Sequence, residues 1–270
     1  MNDTLPSDFF EQNEESILER LLDAQAEEDD RILAAQAAGD YVNINDRLAD
    51  ALPGIVSDDG QSEKLRRGAA IALGPALEAT DIDGFEDPDD VPISEQTFHR
   101  IQEVLRGLYR DAGVPEQLRR SILEASVRAP EAWHRDAVAA AYSSGDDAWM
   151  LSAVFAMRWL NGFDDEILEA LQSENEDIHY QAVCAAGNWE LQDAWSHVAA
   201  LVASPETGKD LMLAAIEALA TIRPGEAGPL LVDLGDSDDQ DICDAAYEAM
   251  SMTELHWELD EEDENGDFIS

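Results

Sequence analysis

Apolar residues recur along this chain with the spacing of an α-helix, and the same arrangement occurs six times. The apolar side chains recur at relative positions 0, 4, 5, 7 and 8, which lie on one face of a helix, and the one exception is Ser126 at position 8 of the second copy. The same position in every copy holds an alanine, and these reference alanines are Ala72, Ala125, Ala156, Ala185, Ala218 and Ala249. They lie 53, 31, 29, 33 and 31 residues apart, so the pattern is an internal repeat of about 31 residues.

The repeating unit contains two helices. Each helix with a reference alanine, called here a B helix, follows a short acidic turn such as "SENEDI" or "GDSDDQDI", and the Ser and Asp of these turns are typical N-cap residues. Before each turn lies another amphipathic stretch, for example "LQDAWSHVAALVA", which we call the A helix. Neither helix can bury its apolar face by itself, whereas stacked pairs bury a continuous core. The pattern therefore predicts an all-α solenoid of about six helix-turn-helix repeats.

Three of these segments resemble a known family. "SEKLRRGAAIALG", "ENEDIHYQAVCAAGNWE" and "KDLMLAAIEALATI" resemble the HEAT-repeat superfamily, in the short form called phycobilisome-lyase-like HEAT repeats. The resemblance covers residues 42–253 and implies a right-handed α-solenoid with HEAT-like repeats. Because this fold serves scaffolds, adaptors and a few enzymes, the resemblance implies the fold far more strongly than the function.

Three segments depart from the repeat. Residues 1–41 form an acidic amphipathic stretch and are predicted to be a helical cap. An acidic insertion at 80–95, rich in Asp, Glu and Pro, accounts for the 53-residue spacing and is predicted to be a loop that ends at Ser94, the N-cap of the next helix. It does not match an EF-hand, because Glu86 stands where that loop needs glycine. Residues 254–270 carry eight acids and are predicted to be a disordered tail.

Charge narrows the range of partners. Asp and Glu number 61 against 16 Lys and Arg, which gives a net charge of -45. Such a chain repels nucleic acids and anionic membranes and attracts a basic protein partner. Hydrophobic residues make up 45% of the chain, which supports a folded core. Only two of the 16 basic residues are lysines, so adaptation to a salty environment is a second explanation of the acidity.

The residue types indicate no catalytic site. No nucleotide-binding, zinc-protease or nucleophile-elbow motif occurs, and the five histidines are scattered. His179 and Cys184 are five positions apart, which is a poor spacing for one ligand site, so we interpret them as ordinary repeat residues. We therefore expect no enzyme activity, cofactor or metal. Two cysteines, no signal peptide and no long apolar run predict a cytoplasmic protein.

The outward stripe of the B helices is the candidate binding surface. It lies five before, one before and three after each reference alanine, and it changes from arginine-rich to aromatic to acidic along the chain. The predicted partner-binding residues are Arg67, Arg120, Glu124, Arg128, Phe155, Trp159, Tyr180 and Asn188. Aromatic and arginine side chains are common anchors at interfaces, so the prediction is a non-catalytic scaffold or adaptor that binds a polypeptide on a concave B-helix surface.

Two other interpretations stay open. In the first, the aromatic residues pack within the repeat stack and the arginines only offset nearby acids. In the second, which the family resemblance implies, the protein is a lyase-like enzyme subunit or binds a planar ligand such as an open-chain tetrapyrrole. Phe155, Trp159 and Tyr180 would then form its pocket.

Overall fold

The computed structural model describes residues 14–40, 44–86 and 91–252, and its regular structure is entirely helical. The helices are α1 Glu14–Leu22, α2 Glu28–Ala38, α3 Asp46–Ser57, α4 Glu63–Ala72, α5 Gly74–Asp83, α6 Glu95–Arg110, α7 Glu116–Ser126, α8 Ala132–Tyr142, α9 Asp147–Ala156, α10 Asp164–Ala170, α11 Glu176–Asn188, α12 Trp195–Ala203, α13 Lys209–Ile222 and α14 Pro224–Leu234. A last helical segment, α15, covers 240–252. The chain divides within α8 into two compact units, residues 1–137 and 138–270.

Each unit repeats the same packing of helix pairs. In the first unit α3 packs on α4 and α6 on α7, while the B helices α4 and α7 pack on each other. In the second unit α10 packs on α11 and α12 on α13, while the B helices α9, α11 and α13 pack in succession. The all-α prediction and the stacking of neighbouring helix pairs typical of an α-solenoid are confirmed. No helix among the described residues is long and apolar enough to cross a membrane.

The reference alanines lie at the centre of this packing. All six are buried, with at most 8% of their surface exposed. The position three before each alanine is also buried in every repeat, and it holds Ala69, Ile122, Ala153, Ala182, Ala215 and Ala246. Eleven of these twelve positions are alanine, whose small side chain lets successive B helices approach closely. The register read from the apolar pattern is therefore the register of the core.

Two repeats have a glycine two residues after the reference alanine, at a point where the next B helix comes close. A Cβ on Gly187 would lie 2.9 Å from the Cα of Ala218, the reference alanine of the next B helix. A Cβ on Gly74 would lie 2.9 Å from the side chain of Arg128 and 3.6 Å from the Cα of Ala125. At Gly187 the backbone of the next helix leaves no room for a side chain, whereas at Gly74 the Arg128 side chain would have to move.

The predicted cap contains a further helix pair of the same kind. Helix α2 packs on both α1 and α4, as one B helix packs on its A helix and on the next B helix. Its "LAAQAAGD" matches "GAAIALGP" of α4, so Gly39 takes the place of Gly74. A Cβ on Gly39 would lie 2.1 Å from the carbonyl oxygen of Ala72. The repeat pattern missed this copy because α2 begins with three acids and its apolar positions are mostly alanines. Residues 1–13 and 41–43 lie outside the described residues.

The predicted loop at 80–95 is shorter than expected at its start. Helix α5 continues through Asp83, and its last turn buries Thr80. Residues 87–90 lie outside the described part of the chain. The prediction that Ser94 is the N-cap residue of α6 is confirmed, since its Oγ accepts a hydrogen bond from the backbone N–H of Thr97. The predicted tail, 254–270, also lies outside the described residues.

The core of the first unit buries a neutral histidine. His134 is 0% exposed, and its Nδ1 accepts a hydrogen bond from the backbone N–H of Glu131 at 2.9 Å. Its Nε2 therefore carries the hydrogen and donates to Ser126 Oγ, also at 2.9 Å, while the Ser126 hydroxyl donates to the carbonyl of Ile122. Burial lowers the pKa of His134 to about 4, so the ring is uncharged at neutral pH.

Candidate partner-binding face

Two of the arginines predicted to bind a partner, Arg67 and Arg128, form side-chain contacts with neighbouring helices of the first unit. Arg67 on α4 donates from Nη1 to Gln117 Oε1 at 2.8 Å and from Nε to Ser121 Oγ at 3.2 Å, both on α7. Arg128, which follows α7, pairs with Glu78 of α5 at 2.9 Å. These contacts join neighbouring helices.

Arg120 and Glu124 lie one turn apart on α7. Their charged atoms are 3.9 Å apart, and their side chains are 18% and 25% exposed. The structure therefore brings these two predicted residues together and connects Arg67 and Arg128 to other neighbours. A contribution of these four side chains to partner binding stays a prediction, alongside the interpretation that the arginines offset nearby acids.

The second unit gathers the predicted aromatic residues around an arginine. The rings of Phe155 and Trp159 have centroids 4.9 Å apart and are tilted by 47°. The guanidinium of Arg158 lies 5.1 Å from the Trp159 ring centroid and 6.0 Å from that of Phe155, within the range of cation–π attraction. Asn188 donates weakly from Nδ2 to the backbone carbonyl of Arg158, at 3.4 Å. Sequence reasoning missed Arg158, although its position beside Trp159 in a segment poor in basic residues was a usable signal.

Tyr180 lies between two cavities of the second unit. Cavity A, about 840 Å³, is formed by the start of α11, the end of α12 and the start of α13. Cavity B, about 530 Å³, is formed by Tyr180, α13 and α15. Six residues of the predicted stripe line cavity B: Tyr180, Leu213, Glu217, Asp244, Glu248 and Met252. The stripe derived from the repeat register therefore coincides with a concave surface in this unit.

A third, smaller cavity of about 120 Å³ contains Cys184. Arg158, Asn188 and Glu217 also line it. Burial raises the pKa of the Cys184 thiol despite the nearby Arg158 guanidinium, so the thiol is protonated at neutral pH. The adjacent Cys184 and burial raise the pKa of Tyr180 as well. This environment fits the interpretation of Cys184 as an ordinary repeat residue rather than a nucleophile.

Two histidines that looked scattered in the sequence meet in the structure. The Nε2 atoms of His179 on α11 and His197 on α12 are 2.7 Å apart, so one ring donates a hydrogen bond to the other. Gln172 Nε2 lies 3.3 Å from Nδ1 of His197. Burial lowers the pKa of both histidines, and the neighbouring His197 lowers that of His179 further. The sequence carried no signal for this contact, because the two residues lie in helices of two successive pairs, α11 and α12.

This histidine pair does not belong to a group of three potential metal ligands in the described part of the chain. Within residues 14–40, 44–86 and 91–252, no three His, Cys, Asp or Glu side chains are placed to hold a metal ion.

Carboxylates line both cavities beside Tyr180. Cavity A is lined by Glu176, Asp177, Glu206 and Asp210, and cavity B by Glu217, Asp241, Asp244 and Glu248. Lys209 is the one Lys or Arg lining these two cavities, and its Nζ is held by Asp239 at 2.8 Å and Asp241 at 2.5 Å. The face around Tyr180 is therefore strongly electronegative.

Comparisons with known proteins support a coarse likeness at most. No family model and no curated protein matches the chain. An engineered protein solved by a structural genomics consortium superposes with a TM-score of 0.47 at 15% identity, over 89% of this chain and 68% of its own. Human deoxyhypusine hydroxylase in complex with glycerol superposes with a TM-score of 0.42 at 17% identity, over 90% of this chain and 84% of its own. At these TM-scores, neither protein's activity carries over to this chain.

Proposed function

We propose that the protein is a non-catalytic scaffold or adaptor of the HEAT-repeat type, which binds a polypeptide partner on its B-helix face. The observation that carries the proposal is the coincidence of the predicted stripe with cavity B, where Tyr180, Leu213 and Met252 supply apolar contact area. Stacked helix pairs expose such extended surfaces and need no catalytic groups to function as binding platforms. A cytoplasmic setting belongs to the same proposal.

Arg158, Phe155 and Trp159 add an anchor of the kind that interfaces use. Aromatic and arginine side chains dominate the energetics of many protein–protein contacts. Aromatic rings offer a large area with few rotatable bonds, and the planar guanidinium stacks on rings and donates several hydrogen bonds. Here the three groups support one another through ring and cation–π contacts, so they are held in place before a partner arrives. Preorganised side chains lose little conformational entropy on binding.

Affinity purification from the native cell, read by mass spectrometry, tests the proposal. The test variant combines Tyr180→Ala with Trp159→Ala. The matched control combines Val232→Ala and Ile82→Ala, two exposed apolar residues on α14 and α5 outside the stripe. We expect a stoichiometric protein partner in the wild type and control that is lost in the test variant. Circular dichroism must show equal helicity in all three. A partner that is retained in the test variant would contradict the proposal.

Binding of a small planar ligand is a second candidate, favoured by the size of cavity A. Its volume of about 840 Å³ falls within the range of small-molecule sites, and Tyr180 provides an aromatic wall. Phe155 and Trp159 line neither cavity A nor cavity B, so the ligand would contact Tyr180 without them. Absorbance above 300 nm in the protein purified from its native cell would favour this candidate, and its loss in Tyr180→Ala would place the ligand.

A further inference from the structure

Tyr180 divides one continuous face into two acid-lined depressions. Its side chain, half-buried on α11, belongs to the lining of both cavity A and cavity B. Each cavity also has apolar side chains in its lining, Leu201 and Leu211 in cavity A and Leu213 and Met252 in cavity B. An aromatic ring between two partly apolar hollows can accept extended side chains on both sides.

The charge of both hollows selects the chemistry of the occupant. Each is lined by four carboxylates, whereas their one lysine, Lys209, is already held by Asp239 and Asp241. A basic side chain would lay its aliphatic stem on the apolar residues and direct its charged end to the carboxylates. The face of the Tyr180 ring would attract the same cation.

Two occupants from this protein itself fit poorly. Residues 253–270 carry eight acids and no basic residue, so the carboxylates of both cavities repel them. A second copy of the chain carries the same net charge of -45 and is repelled at long range. Charge complementarity therefore favours a different, basic polypeptide.

We infer that the face around Tyr180 binds a polypeptide segment with two basic side chains, one entering cavity A and the other entering cavity B. The inference rests on the proposed function and makes it more specific, because it requires a partner with two basic side chains whose spacing matches the distance between the two cavities. A chain that only attracts cations at long range would respond to the total charge of a partner and not to the spacing of its charges.

A series of synthetic peptides tests the spacing. Each fluorescein-labelled peptide carries two arginines separated by two to ten Gly, Ser or Ala residues, and binding to the full chain is measured by fluorescence anisotropy at 150 mM and 500 mM NaCl. We expect one optimal spacing that binds at least tenfold more tightly than the shortest and longest. In the best peptide, replacing either arginine with citrulline, which has a similar shape and no charge, should weaken binding by about tenfold.

Paired charge variants assign each arginine to a cavity. Glu217→Gln with Glu248→Gln removes two of the four carboxylates of cavity B, and Glu176→Gln with Asp210→Asn removes two of the four in cavity A. The matched control is Asp193→Asn with Asp233→Asn, two exposed acids away from both cavities, which removes the same net charge. Each cavity variant should lose about tenfold in affinity for the best peptide, while the control loses less than twofold. Tyr180→Leu should weaken binding several-fold and Tyr180→Phe much less.

The possible outcomes separate this inference from the proposed function. No dependence on spacing, or equal losses in the control and cavity variants, would mean bulk attraction only and would overturn the inference. If the native-cell purification still yields a partner that depends on Tyr180, the scaffold proposal survives that result. If that partner is absent as well, both fail.

Discussion

The two units share one architecture and differ in how they use charge. The first, residues 1–137, holds 13 of the 16 basic residues beside 31 acids, whereas residues 138–252 hold three basic residues beside 22 acids. In the first unit, ion pairs of Arg47 with Glu14 and of Arg100 with Asp50 connect different helices, and Arg106 on α6 pairs with Glu131, the residue before α8. In the second, the ion pairs of Lys209 and Arg223 leave most carboxylates without a basic neighbour.

This difference shows that a repeat fold does not need matched charges to form. The buried alanines and close helix contacts occur in both units, so apolar packing specifies the architecture. Charge is then available for a second purpose. The first unit uses it in ion pairs within the structure, and the second displays it around Tyr180, where it would attract the basic partner that we propose.

The largest expected effect tests whether both units depend on the same close contact. Gly39→Ala in the first unit and Gly187→Ala in the second should each destabilise the fold by about 3 kcal/mol or more, because the added Cβ meets a neighbouring helix backbone. The loss should be greater for Gly39→Ala, whose Cβ would lie 2.1 Å from the Ala72 oxygen. Chemical denaturation at pH 7 measures the free energy of unfolding.

Gly54→Ala on α3 and Gly228→Ala on α14 are the matched controls. A Cβ at either position meets no other atom within 4 Å, so alanine should be neutral or stabilise its helix by about 0.5–1 kcal/mol. If all four variants behave alike, close backbone approach does not govern the stacking of the B helices.

Acid should affect the first unit through His134. Because the folded-state pKa is lowered to about 4 from 6.5, the unfolded chain takes up a proton first as pH falls. The contribution of neutral His134 is fully present above pH 6.5 and is lost progressively down to about pH 4. At pH 5 we expect a loss of about 2 kcal/mol relative to pH 7.

Comparing wild type with His134→Gln isolates this effect. The variant should be less stable at pH 7, because Ser126 and the Glu131 N–H lose their partner, but its stability should fall less between pH 7 and pH 5. His99→Gln, at an exposed site, serves as the control. Equal pH dependence in wild type and His134→Gln would exclude His134 as the source of the acid sensitivity.

The second unit should show its own, smaller response through His179 and His197. Protonation of both rings replaces a hydrogen bond with two opposed N–H donors 2.7 Å apart. Because burial lowers both pKa values, the stability that this pair contributes is present above the ordinary pKa of 6.5 and is lost as pH falls. NMR titration of the ring protons should place both transitions below 6.5. His197→Gln should raise the pKa of His179, and an unchanged value would contradict the coupling.

The smallest expected effect has opposite signs in the two units. Arg106→Gln should destabilise the first unit by up to about 1 kcal/mol, because Glu131 loses an ion pair at 2.6 Å. Glu217→Gln with Glu248→Gln should leave the stability of the second unit unchanged or raise it by a few tenths of a kcal/mol, since repulsion between carboxylates is relieved. Thermal melts at 50 mM and 1 M NaCl provide the measurement. A loss of stability in both variants would show that the carboxylates of cavity B stabilise the fold.

Much of the architecture could be predicted because it depends on local periodicity. The spacing of Ala185 and Ala218 placed two successive B helices in register, and both alanines are buried as expected. The copy in α2 escaped prediction because its apolar positions are mostly alanines, which give a weak periodic signal. The end of α5 was placed too early because its last residues include Asp81 and Asp83, which the sequence pattern predicts to be part of an acidic loop, although the helix continues through them.

The candidate site was predicted only in part, for a different reason. Repeat register identified Tyr180 as an outward residue, but it could not tell that cavities lie on both sides of it. The register likewise placed Arg67 and Arg128 outward without showing that each reaches a neighbouring helix. Side-chain partners in adjacent helices depend on helix separation and rotation, which sequence spacing does not encode.

The sequence by itself determined the helical class, the repeat, the register of the buried alanines and the excess of acidic residues, because each is a property of composition or of spacing along one helix. The tertiary structure decided which side chains from different helices meet. It brought His179 to His197, set Arg158 over Trp159, and opened two carboxylate-lined cavities beside Tyr180. These arrangements arise from packing between helices, where a shift of one ångström changes the partner of a side chain.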